Sequence, residues 1–176
     1  PSMLNQSGRE MLEYVHCPKF FNFEAIPTLE PDEDVIFLNC RKIMAHFNTD
    51  PRHGVCLGST VTYGAMQLAY FMGFTEVVLI GVDHNFATKG QPHKLIESQG
   101  DDPDHFHPEY FSKGYKWQLP DLEDSERSYR IAKKYFENVG RKIVDATVDG
   151  KCTVFEKIDY RKYFQVSKIN CKPSQN

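Results

Sequence analysis

Ser59, Thr60 and Thr62 concentrate three hydroxyls in the run Gly58-Ser-Thr-Val-Thr-Tyr63, directly ahead of a stretch with helical periodicity. Hydroxyls and unpaired N–H groups at the positive end of a helix dipole are the chemistry that holds a phosphate. Ser or Thr at that place also serves as a plain N-cap, whatever the function. Asp83 closes the apolar run Glu76-Val-Val-Leu-Ile-Gly-Val-Asp83. A carboxylate at the carboxyl edge of a parallel sheet, where ligands bind in such folds, can orient a ribose or a metal, or simply cap the next loop. Further on, Asp101-Asp-Pro-Asp-His-Phe-His-Pro-Glu-Tyr110 sets His105 and His107 among aspartates. No second cluster completes a metal-ligand set, so none is assigned. A histidine whose tautomer a neighbouring Asp fixes suits a general base better. His93, in Gly90-Gln-Pro-His93, is another pocket candidate, with a surface loop histidine as the plainer reading. Lys113 and Lys116 alternate with rings in Phe111-Ser-Lys-Gly-Tyr-Lys-Trp117. That pattern clamps an anionic or sugar ligand, with Tyr115 or Trp117 as stacking platform, or else packs rings with solvated lysines between them.

The elements that must position these residues are legible from periodicity. Ala65, Leu68, Ala69 and Met72 fall at i, i+3, i+4 and i+7 and predict a helix over about Val61 to Met72, with Gly73 as its left-handed cap. Val77 to Val82 reads as a fully buried strand. A long irregular segment, about Asp83 to Pro120, follows; its rings argue for an ordered active-site flap rather than a solvated linker. A helix from about Asp121 to Gly140 carries the apolar stripe Tyr129, Ala132, Phe136 and Val139, with Arg130, Lys133, Lys134 and Glu137 facing water. Lys142 to Ala146 is the last core strand. Earlier come a helix candidate at Gly8 to Val15, a strand at Lys19 to Phe23, a buried strand at Val35 to Asn39 and a loop at Phe47 to Gly54. Val154 to Phe164 makes a short terminal element and Ser167 to Asn176 a loose tail. Together these predict one α/β domain, a Rossmann-like three-layer sandwich with a mostly parallel sheet and a long flap after the Val77–Val82 strand.

Composition narrows the partners. The chain has 176 residues, 40% of them hydrophobic, and a net charge of −3, which argues against nucleic-acid binding through a broad basic face. Five cysteines without any CxxC pair point to buried reduced thiols in a cytoplasmic protein. No apolar run has the length of a membrane span, and no signal-peptide pattern opens the chain. Because it begins at Pro1 rather than Met, the expectation is the C-terminal part of a longer protein. Self-association into a homo-oligomer stays open.

The motifs Gly58-Ser-Thr-Val-Thr-Tyr63, Met72-Gly-Phe74, Leu79-Ile-Gly-Val-Asp-His-Asn-Phe86, Lys89-Gly-Gln-Pro-His93 and Asp104-His-Phe-His-Pro-Glu-Tyr-Phe-Ser-Lys-Gly-Tyr-Lys-Trp117 together resemble the MptE-like family. That family is named for an archaeal hydroxymethylpterin pyrophosphokinase, and its relatives include the Maf motility-accessory glycosyltransferases. A more distant similarity is to the bacterial Cst-type sialyltransferases. The resemblance runs from about Val35 to Phe164. It implies a nucleotide-sugar site with Thr60 in the CMP-contacting loop and Asp83 at the strand end. Asn85 stands where the sialyltransferases have their first flap tyrosine, and His93 lies near the second. Gly58, Ser59, Thr60, Thr62, Asp83, Asn85 and His93 would then hold the donor. The flap base would be His105 or His107, with Lys113 helping the phosphate to leave. The implied function is transfer of a nucleotide-activated sugar, such as a CMP-nonulosonate, to a glycan or small-molecule acceptor in surface-glycan synthesis. The alternatives are an ATP-dependent pyrophosphokinase on a pterin-like alcohol, with Mg²⁺ on carboxylates such as Asp83, Asp101 and Asp104, or a non-catalytic nucleotide-sugar binding module.

Overall fold

The computed structural model describes residues 14–27, 29, 32–41, 46–100 and 113–167. Strands β1 (Lys19–Asn22) and β2 (Val35–Leu38) pair in parallel, as do β3 (Cys40–Arg41) and β4 (Val55–Cys56). Helix α1 (Val61–Phe71) leads to β5 (Glu76–Leu79). An antiparallel ribbon of β6 (Leu95–Glu97) and β7 (Lys116–Gln118) precedes helix α2 (Leu122–Glu137). Then follow β8 (Lys142–Asp145), β9 (Glu156–Lys157) and helix α3 (Tyr160–Ser167), with a parallel sheet in the order β5-β8-β9. The protein is therefore α/β with mostly parallel pairing. The pairing is divided among short, separate ladders rather than one continuous sheet.

A buried amide explains one of these divisions. Gln67 is 1% exposed. Its Oε1 accepts from the N–H groups of Asn48 (3.1 Å) and Cys56 (3.2 Å), and its Nε2 donates to the carbonyls of Cys56 (2.6 Å) and Tyr63 (3.1 Å). Val55 and Leu57 spend their N–H groups on Asn39 and Arg41, so Cys56 faces the other side of β4. There the Gln67 amide takes the place that a neighbouring strand would fill. Buried backbone groups must be paired, and one side chain does it here.

Gln67 also turns α1 over. The predicted face of Ala65, Leu68, Ala69 and Met72 is not the buried one: Ala65 is exposed and Met72 is 51% exposed. The helix instead buries Tyr63, Met66 and Gln67, with Tyr70 packed against the core. This set has the same spacing shifted by two residues, about 200° around the helix. Gly73 does cap α1 with φ +85°, and the paired bonds Phe74 N–H to Ala69 O (3.1 Å) and Gly73 N–H to Tyr70 O (3.1 Å) complete the stop. Helix α2 follows its predicted stripe through Tyr129, Ala132 and Phe136, while Val139, beyond the last helical turn, is 51% exposed.

The core lies between the two helices and the β5-β8-β9 sheet. Phe47 stacks on Tyr135 with centroids 4.5 Å apart and meets Tyr70 edge-on at 5.4 Å, and Leu79 and Ile143 close the cluster from the sheet. Strand β5 ends at Leu79, three residues short of the predicted Val82, and it is an outer strand with Glu76–Val78 only half-buried. The most deeply buried strand is the central one, β8, where Ile143, Val144 and Asp145 are 4%, 2% and 0% exposed after an exposed Lys142. The segment after Asp83 is not irregular throughout. Ile96 pairs with Trp117, and Leu119, 3% exposed, roots the ribbon beneath Gly90. Of the cysteines, Cys56 and Cys152 are buried, Cys40 is half-buried and Cys17 is exposed, so the expectation of buried thiols fails at Cys17. Cys171 and the Gly8–Tyr14 part of the predicted first helix, Tyr14 itself excepted, lie outside the described residues. No helix among the described residues is long and apolar enough to cross a membrane.

Candidate functional site

Thr60 has extended backbone and its Oγ1 accepts from the Thr62 N–H at 3.2 Å, which starts α1. Gly58, just before, has φ +53°, and a Cβ there would lie 2.3 Å from Ser128 Oγ. Only glycine lets this turn press against α2. The start of α1 is thereby held beside the start of α2. Ser59 Oγ donates to Asp124 Oδ2 at 2.7 Å, and Asp124 Oδ1 accepts from Arg127 at 2.9 Å. Asp121 is the N-cap of α2, its Oδ1 accepting from the Asp124 N–H at 2.9 Å.

The loop after β5 forms the facing wall. It is pinned from the sheet side: Val82 N–H donates to Thr147 Oγ1 at 3.0 Å, and Lys151 N–H donates to the Asp83 carbonyl at 2.8 Å. Thr147 is itself fixed through buried Asp145, which accepts from the Thr147 N–H (2.8 Å) and from Lys157 Nζ (2.6 Å). An ion pair at the end of the central strand thus sets the position of the loop.

Between these parts lies a cleft of about 220 Å³. Ser59, Thr60 and Thr62 line one side, Asp83, His84 and Asn85 another, and Ser125 and Tyr129 of α2 a third. Ser59, Thr60, Thr62, Asp83 and Asn85, singled out from sequence, therefore meet in one place. The Tyr129 hydroxyl shares hydrogen bonds with the Thr60 and Thr62 side chains. Burial pushes its pKa up and those two bonds pull it the other way, with burial prevailing. It stays a neutral phenol at physiological pH.

The other candidates are placed elsewhere. Gly58 shapes the turn from behind, and the cleft lining does not include it. His93 has a side chain 61% exposed, 3.6 Å from Asp121 Oδ2, and does not line the cleft. Lys113 is exposed at the far end of the ribbon, and Lys116 lies 3.8 Å from Glu97, both with exposed side chains. Neither lysine lines the cleft. His105, His107, Asp101 and Asp104 lie outside the described residues.

Three participants were missed by sequence reasoning. Tyr129 reads as core from periodicity, and Asp145 as strand interior. His84 stood within the resemblance motif but was given no role. Its side chain is 8% exposed, its Nε2 lies 3.2 Å from Glu126 Oε1, and its ring centroid is 6.3 Å from that of Tyr129. Glu126 is in turn paired with Arg130 one helical turn on. The available signal was adjacency: Asp83-His84-Asn85 follows an apolar strand.

The cleft lining includes no Lys or Arg. The start of α1 brings the positive end of its dipole to the cleft, and the His84 ring stands in the facing wall. Among the described residues no group of three or more His, Cys, Asp and Glu side chains could hold a metal ion. Comparison with protein-family models, with characterised proteins and with solved structures returns no match to this chain.

Proposed function

We propose that the cleft binds the phosphate and ribose of a nucleotide-activated sugar, and that the protein transfers the sugar to an acceptor hydroxyl in surface-glycan synthesis in the cytoplasm. One observation carries this reading. A hydroxyl-bearing helix start and a loop following a parallel strand, with Asp83, converge on one cleft. Helix starts favour phosphate, and a carboxylate beside it suits a ribose diol. The volume of about 220 Å³ is below the roughly 300–1,000 Å³ of a cleft that encloses a drug-sized ligand. It suits the phosphate, its attached ribose and the reacting acceptor hydroxyl, leaving the remainder of the sugar and of the acceptor to lie outside. We read the fold accordingly as a Rossmann-like three-layer sandwich.

The competing reading is diphosphate transfer from ATP to a pterin-like alcohol. It is favoured by the lack of Lys or Arg in the lining, a lack that Mg²⁺ would make good. Asp83 is the one carboxylate in the lining, so the described residues fit a metal poorly. Thermal-shift measurements with CMP, CDP, UDP and ATP, each with and without Mg²⁺, separate the readings. CMP or CDP at about 100 times its Kd adds about 2.7 kcal/mol, a rise of roughly 5–10 °C in a chain of this size. Stabilisation by cytidine nucleotides without metal is expected. Stabilisation by ATP alone, and only with Mg²⁺, overturns the proposal in favour of the kinase. Binding without turnover of any nucleotide sugar leaves a binding module.

A further inference from the structure

We propose that His84, oriented by Glu126, is the catalytic base of this cleft, in place of a histidine from the flap. The inference rests on the cleft holding the donor phosphate as argued above. His84 belongs to the cleft wall, with a side chain only 8% exposed, whereas the His93 side chain is 61% exposed and does not line the cleft. Seclusion with an opening to the cleft is what a base needs, because bulk water would compete for its proton.

The hydrogen bond decides which nitrogen works. Glu126 Oε1 lies 3.2 Å from His84 Nε2, and a carboxylate can only accept. Nε2 therefore carries the proton, and Nδ1 keeps the lone pair. Glu126 also accepts from Arg130 on the same helix face through its other oxygen, which fixes the carboxylate against the ring and leaves Oε1 to stabilise the imidazolium when Nδ1 takes a proton. The base and its orienting carboxylate come from different elements, the loop after β5 and helix α2. Their meeting is a product of the tertiary fold.

The backbone adds an independent sign. His84 has φ +53°, a left-handed conformation. Histidine adopts it more readily than most side chains but still against its preference. The Val82 and Asp83 bonds to the β8–β9 connection hold the chain there. Conformations of this kind collect at functional sites because the surrounding structure imposes them.

The step balances. The acceptor oxygen forms its bond to the anomeric carbon as the bond from that carbon to the donor phosphate oxygen breaks. The bonding pair leaves on the phosphate, which rests against the Thr60 and Thr62 hydroxyls and the helix start. The acceptor proton passes to His84 Nδ1.

The test uses the whole chain with CMP-N-acetylneuraminate, UDP-N-acetylglucosamine and GDP-mannose, following nucleotide release, nucleotide binding and ring-nitrogen NMR. His84→Asn tolerates the left-handed backbone. It is expected to bind nucleotide as the wild type does while release falls about 10²–10⁴-fold, the usual contribution of a general base. His84→Gly removes the ring without strain, and added imidazole should restore part of its turnover. Glu126→Gln should lower kcat while leaving KM for the donor little changed. Wild-type turnover in His84→Asn, with turnover lost in His105→Ala or His107→Ala, overturns the inference and returns the base to the flap. If no nucleotide sugar binds the wild type, the proposed function fails instead. The dyad is then judged by NMR alone: a His84 ring that is not protonated at Nε2 in the neutral tautomer refutes it.

Discussion

Replacing Gln67 by Leu tests how the interior is held together. The substitution keeps nearly the same volume and removes four hydrogen bonds. The Tyr63 carbonyl retains its own helical bond, and half-buried Asn48 can turn its N–H to water. The N–H and C=O of Cys56 cannot, because that residue is 1% exposed. Taking the Gln67 partner from two buried groups costs about 1–3 kcal/mol each. The leucine recovers some of this through apolar burial, leaving a net loss of about 2–4 kcal/mol. Against a total stability of about 5–15 kcal/mol, that is a large fraction. Circular dichroism melts should show Tm lowered by roughly 5–15 °C for a chain of this length, with the urea midpoint falling in parallel. A Gln67→Leu melt within about 1 °C of the wild type would mean that β4 finds other partners. The account of the divided sheet and of the rotated α1 face would then be wrong.

Four further outcomes follow from the same structure. Ser128 Oγ is buried without a hydrogen-bond partner, so Ser128→Ala should be neutral or raise stability by up to about 1 kcal/mol. In the same melts Gly58→Ala should lose about 2–4 kcal/mol through left-handed strain and the clash with Ser128. Thr60→Ala should cost about 1 kcal/mol by loss of the cap and, in calorimetric titration, weaken CMP binding at least several-fold. Asp50 is held at about 2, below its ordinary 3.8, first by its side-chain bond to Arg52 and then by the Arg52 N–H. A carboxyl lowered on folding stabilises above its unfolded pKa and loses that contribution as pH falls through the folded value. Melts of wild type and Asp50→Asn should therefore differ at pH 5 and converge as pH falls from about 4 to about 2. The gap at pH 5 should be small, because the pair is exposed.

What was readable in the residue order was local. Asp121, Pro120 and the Tyr129-Ala132-Phe136 spacing specify where α2 begins and which side it buries, because capping and helical period act over one or two turns. Gly73 specifies the stop of α1 for the same reason. The hydroxyls of Ser59, Thr60 and Thr62 mark a helix start, and Asp83 and Asn85 mark the loop after an apolar strand. Those marks were enough to name five of the polar residues that line the cleft. The ribbon strands were not readable: Leu95–Glu97 and Lys116–Gln118 are three residues each, too short to show a period, and pair across the residues between them.

Tertiary structure decided the rest. Gln67 is polar and lies off the predicted apolar face of α1, yet its amide pairs with the backbone of Cys56 in β4 and is buried there, on the face that α1 turns inward. Tyr129 and Asp145 carry the marks of core positions, and nothing along the chain says that one reaches the threonines and the other anchors the Gly81–Phe86 loop through Thr147. His84 and Glu126 stand 42 residues apart. Periodicity reports which side of an element is apolar, but the pairing of two polar groups depends on which elements the packing brings together.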